Sequence, residues 1–430
     1  MYKRNAARIN AGEARTLRER LFLTACYATA VTLGWSGVKL GPGNLSDVTL
    51  IAACLLGAGL AGRSPRAHGF WYWASAPTAI AAMLLARDGI TGVHSINFGT
   101  SGIVVGSSLM FLRIAMSTLA AAVFLRQVSL IGGQPLTFRV GACWLAGVSA
   151  SSVVAVLQAN GFARGLPLVE QTLSEFSERY SGLASHPNAL AQSAALAVPL
   201  AAYYFHTFSG RWRVVVLLGL ATLAMGVDAS GSRAGVVVGV AVTVMSVIAI
   251  GSLPKIRSWT LPFILAATVL AIVYAPSIIA NTRLAANDES AAQSNVGRAE
   301  AVATGWAHFS QSPFFGTGLG SWYGELSVLV LLAGGGVALL GAYAVFVGGI
   351  CARFNAHRRD FASAAGVLSF IALLGFALLN NGAFERFTFV AVLCLWALLS
   401  QEDTGRPQHD AVRVAAPSHS RYRRQARGHP

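Results

Sequence analysis

Charged residues are scarce in this sequence. Asp, Glu, Lys and Arg make up 11% of its 430 residues, whereas hydrophobic residues make up 54%, and the mean hydropathy is +0.57. A soluble domain carries about 25% charged residues, which cover its surface. The scarcity excludes a soluble globule of this size and predicts a polytopic membrane protein.

Several motifs of soluble enzymes are also missing. The chain has no Asp-x-Asp pair, no His/Cys cluster and no Gly-x-x-x-x-Gly-Lys phosphate loop. Neither a metal-dependent transferase nor an ATPase is therefore indicated, and we expect no metal and no cofactor. The five cysteines lie in or beside apolar runs, without metal spacing or a paired framework, and we interpret them as small core residues.

Positive charge, in contrast, is plentiful, with a formal net charge of +15. Six of the 32 Lys and Arg lie in residues 1–20 and six more follow Asp403. Most of the others lie in short gaps between apolar runs. Insertion topology and anionic headgroups explain such clusters better than a nucleic-acid groove does. We therefore expect the lipid bilayer, and no nucleic acid, as a partner.

Apolar runs recur along the whole chain. A helix needs about 20 mainly apolar residues to cross the hydrocarbon core. The runs predict an all-α fold of about twelve transmembrane helices. The predicted spans are 21–38, 45–62, 69–86, 102–125, 139–158, 187–207, 212–228, 234–252, 259–276, 326–350, 361–379 and 386–400.

The cations predict which side each gap faces. If the N-terminus is cytoplasmic, inner gaps hold 23 Lys and Arg and outer gaps hold eight, while Arg113 falls inside a span. This asymmetry follows the positive-inside rule and predicts that both termini are cytoplasmic. Residues 1–20 are then a basic segment that is not a cleavable signal peptide. Residues 401–430 are predicted to be a basic, disordered, lipid-facing tail.

The longest polar interval, residues 277–325, is predicted to be one large loop on the outer face. It separates a membrane domain of about nine spans, residues 21–276, from one of about three spans, residues 326–400. The second-longest outer gap, about residues 159–185, is interpreted as a short amphipathic helix on the outer surface, in which Glu175 and Arg179 lie one turn apart.

The large loop contains apolar positions at helical spacing, which predict an amphipathic helix. Arg298 is placed at the head of this helix, whose apolar face we expect to pack on the membrane domain. Arg298 is then held in place and available to a ligand, or else it is a plain surface arginine. The apolar positions are Ala299, Val302, Trp306 and Phe309.

Arg233 directly follows a turn of small residues, Asp228-Ala-Ser-Gly-Ser-Arg233, at the start of a predicted helix. Backbone N–H groups and a guanidinium would meet there at the outer face, which suits an anion such as a phosphate. The alternative is a structural Arg233–Asp228 pair that caps two helices.

Other outer polar residues are candidates for substrate binding. Arg113 interrupts an apolar span, where a charge usually faces a polar cavity, although it could pair structurally with a carboxylate. Arg386 follows Glu385, so a local ion pair is its alternative. His186-Pro-Asn188 looks like a helix start, and a lone histidine such as His308 is more often a capping or packing residue than a base.

Three stretches resemble, in order and predicted topology, the O-antigen ligase/polymerase superfamily, which comprises WaaL ligases and Wzy-type polymerases. They are His186-Pro-Asn-Ala-Leu-Ala191, Ser230-Gly-Ser-Arg-Ala-Gly235, and Gly297-Arg298 continuing to Pro313-Phe-Phe-Gly-Thr-Gly-Leu-Gly320. The resemblance covers roughly residues 160–350.

The resemblance implies a metal-independent glycosyltransferase with a GT-C-like helical fold in the bacterial inner membrane. Its donor would be a glycan on undecaprenyl pyrophosphate, and its acceptor a glycan or lipid A core at the periplasmic face. Arg233 and Arg298 would bind the pyrophosphate and stabilise it as it leaves, with inversion at the sugar. His186, Asn188 and the other substrate-binding candidates would surround them. A chain-length regulator is a further candidate partner.

The sequence departs from the family at one position. The family usually carries a His-Asn pair about eleven residues before a glycine of the following helix. With Gly336 as that glycine, the position falls on Glu325, so the histidine is missing. Glu325 is our candidate for the base that takes the acceptor proton, with His308 second. The alternative is that Glu325 only favours the helix dipole.

We favour a polymerase of O-antigen or exopolysaccharide repeats over a ligase that transfers to lipid A core. A transporter or flippase is the rival from another class, but it would place ion-coupling carboxylates within the spans. Only Arg113 lies clearly within one. A non-catalytic family member is a third alternative: intact Arg233 and Arg298 argue against it, and the absent histidine argues for it.

The base assignment is tested by Glu325→Gln. The amide cannot accept the acceptor proton, so we expect turnover in a transfer assay to fall by about 10² to 10⁴-fold, the usual contribution of a general base. Unchanged turnover would mean that Glu325 is not the base.

Overall fold

The computed structural model describes residues 16–40, 43–60, 68–91, 106–162, 179–251, 289–324, 326–358, 360–379 and 384–399, and the statements below concern these ranges. Most of them are helical, which confirms the all-α fold class. Two short strands of two residues each, β1 (Lys39–Leu40) and β2 (Gly43–Asn44), pair antiparallel. Most of the gap at about residues 159–185, which is predicted to form an outer amphipathic helix, lies outside the described ranges.

The described ranges contain twelve α-helices. The first six are α1 (Leu17–Thr32), α2 (Leu45–Ala58), α3 (His68–Thr91), α4 (Ser107–Ala115), α5 (Ala121–Ala159) and α6 (Pro187–Thr207). The next six are α7 (Arg211–Ser230), α8 (Arg233–Gly251), α9 (Glu289–Gln311), α10 (Ser327–Ala356), α11 (Phe361–Leu379) and α12 (Val390–Leu399).

Several of these helices are suited to a membrane. In the described ranges, five helical stretches are long and apolar enough to cross one, namely Ser107–Ala159, Arg211–Ser230, Arg233–Ile250, Ser327–Ala356 and Phe361–Leu379. This supports a multi-pass membrane protein. The predicted span 259–276 lies outside the described ranges, so the count of about twelve spans stays a prediction.

One predicted gap is narrower in the structure than in the sequence analysis. Helix fills most of the gap between spans 102–125 and 139–158, running from Ser107 to Ala159 through a π-helical turn at Met116–Ala120, with one break inside the gap. The interruption that the structure shows is at Gly133, whose φ of 67° is readily adopted only by glycine. A single glycine therefore suffices to separate the two helices where the sequence predicts a longer gap.

Two helices form the centre of the bundle. α12 is buried along its whole length, and α6 is buried on nearly all sides by α5, α7, α8 and α11. A helix that is apolar all round is expected in such a position. α7 and α8 lie outside them and expose large apolar side chains such as Leu218, Val240 and Ile248, as is expected of helices in contact with lipid.

Connecting segments gather at one end of the bundle. After α1, the backbone N–H of Gly37 donates to Leu183 O at 3.0 Å, and the Ser36 and Ser185 hydroxyls lie 3.1 Å apart. The chain then passes through the β hairpin to Asp47 in α2, which binds Arg386 just before α12. The segments before α6 and before α12 therefore lie at the same end.

The loop between α9 and α10 is seated in a broken helix. Gly336 of α10 has a φ of 64° and interrupts the helix. The break frees two carbonyls before it and two N–H groups after it, and the loop satisfies all four. Thr317 N–H and Gly318 N–H donate to Ala333 O and Gly334 O at 2.8 and 3.3 Å, while Val337 N–H and Ala338 N–H donate to Pro313 O and Phe314 O at 2.8 and 3.1 Å.

This seating brings two backbones into direct contact. A Cβ at Gly336 would lie 2.3 Å from the carbonyl carbon of Phe314, and a Cβ at Gly316 would lie 2.3 Å from that of Gly334. Neither neighbour can move without losing the hydrogen bonds described above. Both positions therefore need glycine for space as well as for their positive φ.

Gly336→Ala is expected to unseat the loop, because the added methyl group meets backbone and the left-handed φ is strained. We expect a lower melting temperature in detergent and faster proteolysis of residues 312–324. Gly341→Ala in the same helix is the matched control, since its Cβ meets nothing within 4 Å. Equal stability of the two variants would contradict this account of the break.

Candidate functional site

Arg233 is the first residue of α8, as the sequence predicts. α7 ends at Ser230, and Gly231 follows in the left-handed conformation with a φ of 56°. Ser230 Oγ accepts from Ser232 N–H at 3.2 Å, and Ser232 Oγ accepts from Gly235 N–H at 3.2 Å. The small residues thus make a tight turn and cap α8, which fixes the backbone that carries the arginine.

Arg179 holds this turn against the start of α6. Its Nε donates to Ser230 O at 3.0 Å and its Nη2 donates to Asn188 Oδ1 at 2.7 Å. Gly231 leaves room for its stem, because a Cβ there would lie 3.2 Å from Arg179 Cγ. We call Arg179, His186, Asn188 and the turn Ser230–Arg233 the turn cluster.

Sequence reasoning missed the role of Arg179. It placed Arg179 one turn from Glu175, which lies outside the described residues. The order of the residues could have indicated this role. An arginine shortly before His186-Pro-Asn188 lies in the same interhelical segment and can reach Asn188.

His186 caps α6, as the sequence predicts for a helix start. Its Nδ1 accepts from Asn188 N–H at 3.1 Å, which requires an unprotonated Nδ1. Although part of the ring reaches solvent, the surrounding protein and then the charge of Arg179 lower the pKa of His186 to about 4. His186 is therefore neutral at neutral pH, and the cap weakens only on acidification.

The first two motifs of the resemblance meet in space. Gly235 in α8 lies against Ala191 in α6 so closely that a Cβ would lie 2.5 Å from that of Ala191. Together with the Arg179 bonds, this contact joins His186–Ala191 to Ser230–Gly235. The candidates His186, Asn188 and Arg233 therefore belong to one cluster.

Arg233 is half-buried in this cluster. Within the described part of the chain it forms no ion pair, so the alternative pairing with Asp228 is not formed. Arg233 stands at the N-terminus of α8, where an anion is favoured by both the hydrogen-bond donors and the helix dipole.

A second cluster forms around the loop that is seated in α10. Its centre is Asp88, which is 1% exposed. Asp88 Oδ1 accepts from Arg87 Nη2 at 2.8 Å, and Oδ2 accepts from Ser107 Oγ at 3.0 Å and from Leu319 N–H at 2.7 Å. With four donors counting Arg87 Nε, this carboxylate is fully partnered and fixes the loop to α3 and α4. Sequence reasoning passed over it, although a carboxylate at the end of an apolar run is a signal.

His308 is also tied to this loop. Its Nδ1 lies 3.1 Å from Thr317 Oγ1, and Thr317 Oγ1 lies 2.7 Å from Ser321 Oγ. We call residues 313–323 with Arg87, Asp88, Ser107 and His308 the loop cluster. Its rigidity comes from the seating of Thr317 on α10.

Two expectations for α9 are wrong. The helix begins at Glu289, so Arg298 lies in its middle and not at its head. The apolar face does not pack on the rest of the protein: Ala299, Val302 and Trp306 are exposed. Small residues pack instead, because Gly305 lies against Trp322 and Leu329.

Arg113 and Arg386 are both engaged by neighbours. Arg113 lies about two turns into α4, nearer the helix end than its mid-span prediction, and its Nη1 donates to Tyr323 Oη at 2.9 Å. Arg386 is buried and binds Asp47 through two hydrogen bonds of 2.5 and 2.7 Å, with Glu385 at 3.8 Å. The pair with Glu385 is therefore present but secondary to Asp47.

Two catalytic candidates cannot be placed. Glu325 lies outside the described residues, as does the side chain of Arg298. Their roles, and those of the substrate-binding candidates, stay predictions. Within the described ranges, no group of three or more His, Cys, Asp and Glu residues could hold a metal ion.

Comparison with known families gives one match. A family model described as O-antigen ligase matches residues 218–328, about a quarter of the chain. The match includes the turn with Arg233, the helix with Arg298 and the loop up to the start of α10. It confirms the resemblance to the O-antigen ligase/polymerase superfamily. A search of curated proteins found no match.

The Arg179 contacts can be tested by a double-mutant cycle with Arg179→Ala and Asn188→Ala. A hydrogen bond to a charged group contributes about 1.5 to 3 kcal/mol, so each variant should lower the melting temperature in detergent. The double variant should lose less stability than the two single variants lose together, because the hydrogen bond that they share is lost only once. Additive losses would mean that the two side chains do not interact.

Proposed function

We propose that the chain is a membrane glycosyltransferase that transfers an oligosaccharide from a polyprenyl pyrophosphate to a sugar hydroxyl. The family match supports a membrane glycosyltransferase of the O-antigen ligase/polymerase type. The site of transfer is proposed from the position of Arg233. Arg233 is half-buried at the start of a helix and forms no ion pair in the described residues. It stands on a turn that Arg179 holds in place.

The chemistry of the donor explains why such an arginine is useful. The acceptor oxygen forms a bond to the anomeric carbon, and the bond from that carbon to the pyrophosphate oxygen breaks. Negative charge grows on the pyrophosphate as it leaves, and the acceptor hydroxyl loses a proton to a base. A guanidinium presents a planar fork of N–H donors that matches phosphate oxygens, and it stabilises the charge where it develops.

The N-terminus of α8 adds to this stabilisation. The first N–H groups of a helix have no carbonyl partner within it. In α8 the side chain of Ser232 caps one of them, that of Gly235. They share the outer end of α8 with Arg233, so one phosphate group could contact both. We assign Arg298, on α9, to the same pyrophosphate.

The base is assigned to Glu325, with His308 as the second candidate. His308 is held by Thr317, and the seated loop fixes Thr317 in turn, so its ring is oriented without a ligand. His186, Asn188, Arg113 and Arg386 are assigned to the surroundings of the substrate. Because Arg386 already binds Asp47, we expect it to act by positioning α2 and the segment before α12.

We favour a polymerase of repeat units, with a ligase that transfers to lipid A core as the alternative. Both would use the same donor site, and they differ in the acceptor. Inversion at the sugar, independence of metal and the periplasmic side are parts of the proposal as well. A lipid-linked oligosaccharide is expected to reach the site from the membrane, since its carrier is a polyprenyl chain.

Glycan profiling tests the function. A deletion strain is complemented with the wild-type gene, Arg233→Ala, Arg233→Lys or Arg298→Ala. Losing one preorganised donor to a developing anion typically lowers the rate by about 10² to 10³-fold, so the alanine variants should fail to complement. Arg233→Lys keeps the charge but loses the fork and should complement in part.

Arg211→Ala is the matched control, because Arg211 is an exposed arginine at the other end of α7. Single repeats on the acceptor would identify a polymerase, and complete chains left on the lipid carrier a ligase. A normal glycan profile in the deletion strain, with no second enzyme present, would overturn both and favour a transporter.

A further inference from the structure

Large aromatic side chains are exposed on α9 and on the loop that follows it. Phe314 is 70% exposed, Phe315 57% and Trp306 56%. The ring of Phe309 lies 5.2 Å from that of Trp306. We call Trp306, Phe309, Phe314 and Phe315 the aromatic patch. Exposed apolar side chains grouped in this way mark a surface that contacts something other than water.

The carbonyls of the loop tip in this patch are hydrogen-bonded. The carbonyls of Pro313 and Phe314 accept from N–H groups of α10. The carbonyls of Phe315 and Gly316 accept from Arg87 Nη1 at 2.8 and 3.0 Å. Four consecutive carbonyls are thus hydrogen-bonded inside the protein, and the tip offers aromatic rings to its surroundings.

Such a tip is suited to the boundary of the bilayer. Irregular backbone enters the hydrocarbon region only where the protein satisfies its polar groups, since each unsatisfied group costs several kcal/mol there. A tip that faced water or a polar protein surface would not need internal partners for every carbonyl. The hydrogen bonding therefore favours lipid as the occupant.

The position of the tip agrees with this. After the break at Gly336, α10 continues from Val337 to Ala356, about 20 residues and about 30 Å of helix, which equals the thickness of the hydrocarbon core. The break then falls at a membrane boundary. Val337 is 45% exposed and adjoins the loop, so the patch continues the apolar surface of a membrane-crossing helix.

The charge beside the patch fits the same boundary. Arg87, at the end of α3, holds the loop and is about one-third exposed. A cation behind a group of Phe and Trp is the arrangement found where a protein meets headgroups, with the rings in the interface and the cation near the phosphates.

We propose that the aromatic patch inserts into the outer boundary of the bilayer and anchors α9 at headgroup depth. Arg298 precedes Phe309 by about three helical turns in α9. The anchor would therefore hold the part of α9 that carries Arg298 near the level of lipid phosphates. This consequence rests on the proposed function, whereas insertion itself does not.

Photocrosslinking in the full chain tests insertion. A benzoyl-phenylalanine placed at Phe314 replaces one aromatic ring by a larger one, and the protein is reconstituted in vesicles of phosphatidylethanolamine and phosphatidylglycerol. On irradiation we expect phospholipid adducts, detected by mass spectrometry, at a yield several-fold above that of the control. The control carries the same analogue at Glu300, an exposed polar position on another side of α9.

Each other outcome overturns the proposal. A crosslinked dimer would assign the patch to a second copy of the chain, and equal lipid yields at Phe314 and Glu300 would mean that the patch is no anchor. Depth measurement gives a second reading: a nitroxide at Phe315, in a chain whose native cysteines are replaced, should be protected from an aqueous relaxing agent and exposed to oxygen. Neither measurement requires enzymatic activity, so failure of the proposed function leaves both interpretable.

Discussion

The exchange of backbone hydrogen bonds between the loop and the broken helix α10 is the constraint on which the candidate site depends. Because Gly336 interrupts the helix, four polar groups need partners, and residues 313–318 provide them. This seating places Thr317 for its contact with His308 and Leu319 for its contact with Asp88. A single glycine conformation thus determines where the second half of the large loop lies.

The arginines at this end of the bundle divide according to their partners. Burying a guanidinium is costly unless a carboxylate or several acceptors compensate. Arg386 has Asp47, Arg87 has Asp88 and two carbonyls, and Arg179 has a carbonyl and an amide. Arg233 has no such ion pair in the described residues, although it stands on the turn that Arg179 holds in place. Because of this difference we assign ligand binding to Arg233 and a supporting role to the other three arginines.

Local features of the chain were predictable, and long-range contacts were not. The start of α8 at Arg233 follows from a run of small residues, and that of α6 follows from His186-Pro-Asn188, since both are local backbone effects. The Arg386–Asp47 pair joins residues 339 positions apart, so sequence spacing could suggest only the neighbouring Glu385. Between spans 102–125 and 139–158 the break at Gly133 lies inside the predicted gap, but the helices on either side of it extend further than the apolar runs indicate.

The error in α9 has a more general cause. Apolar periodicity predicts a packed face because, in water, apolar side chains leave solvent by packing on the protein. A helix beside a membrane has a second apolar environment, and between helices in lipid the small residues permit the closest approach. Gly305 packs against Trp322, while Trp306 turns outward. The periodicity correctly identified the helix and its two faces, but which face meets the protein is decided by shape and hydrogen bonding, and these depend on residues distant in the sequence.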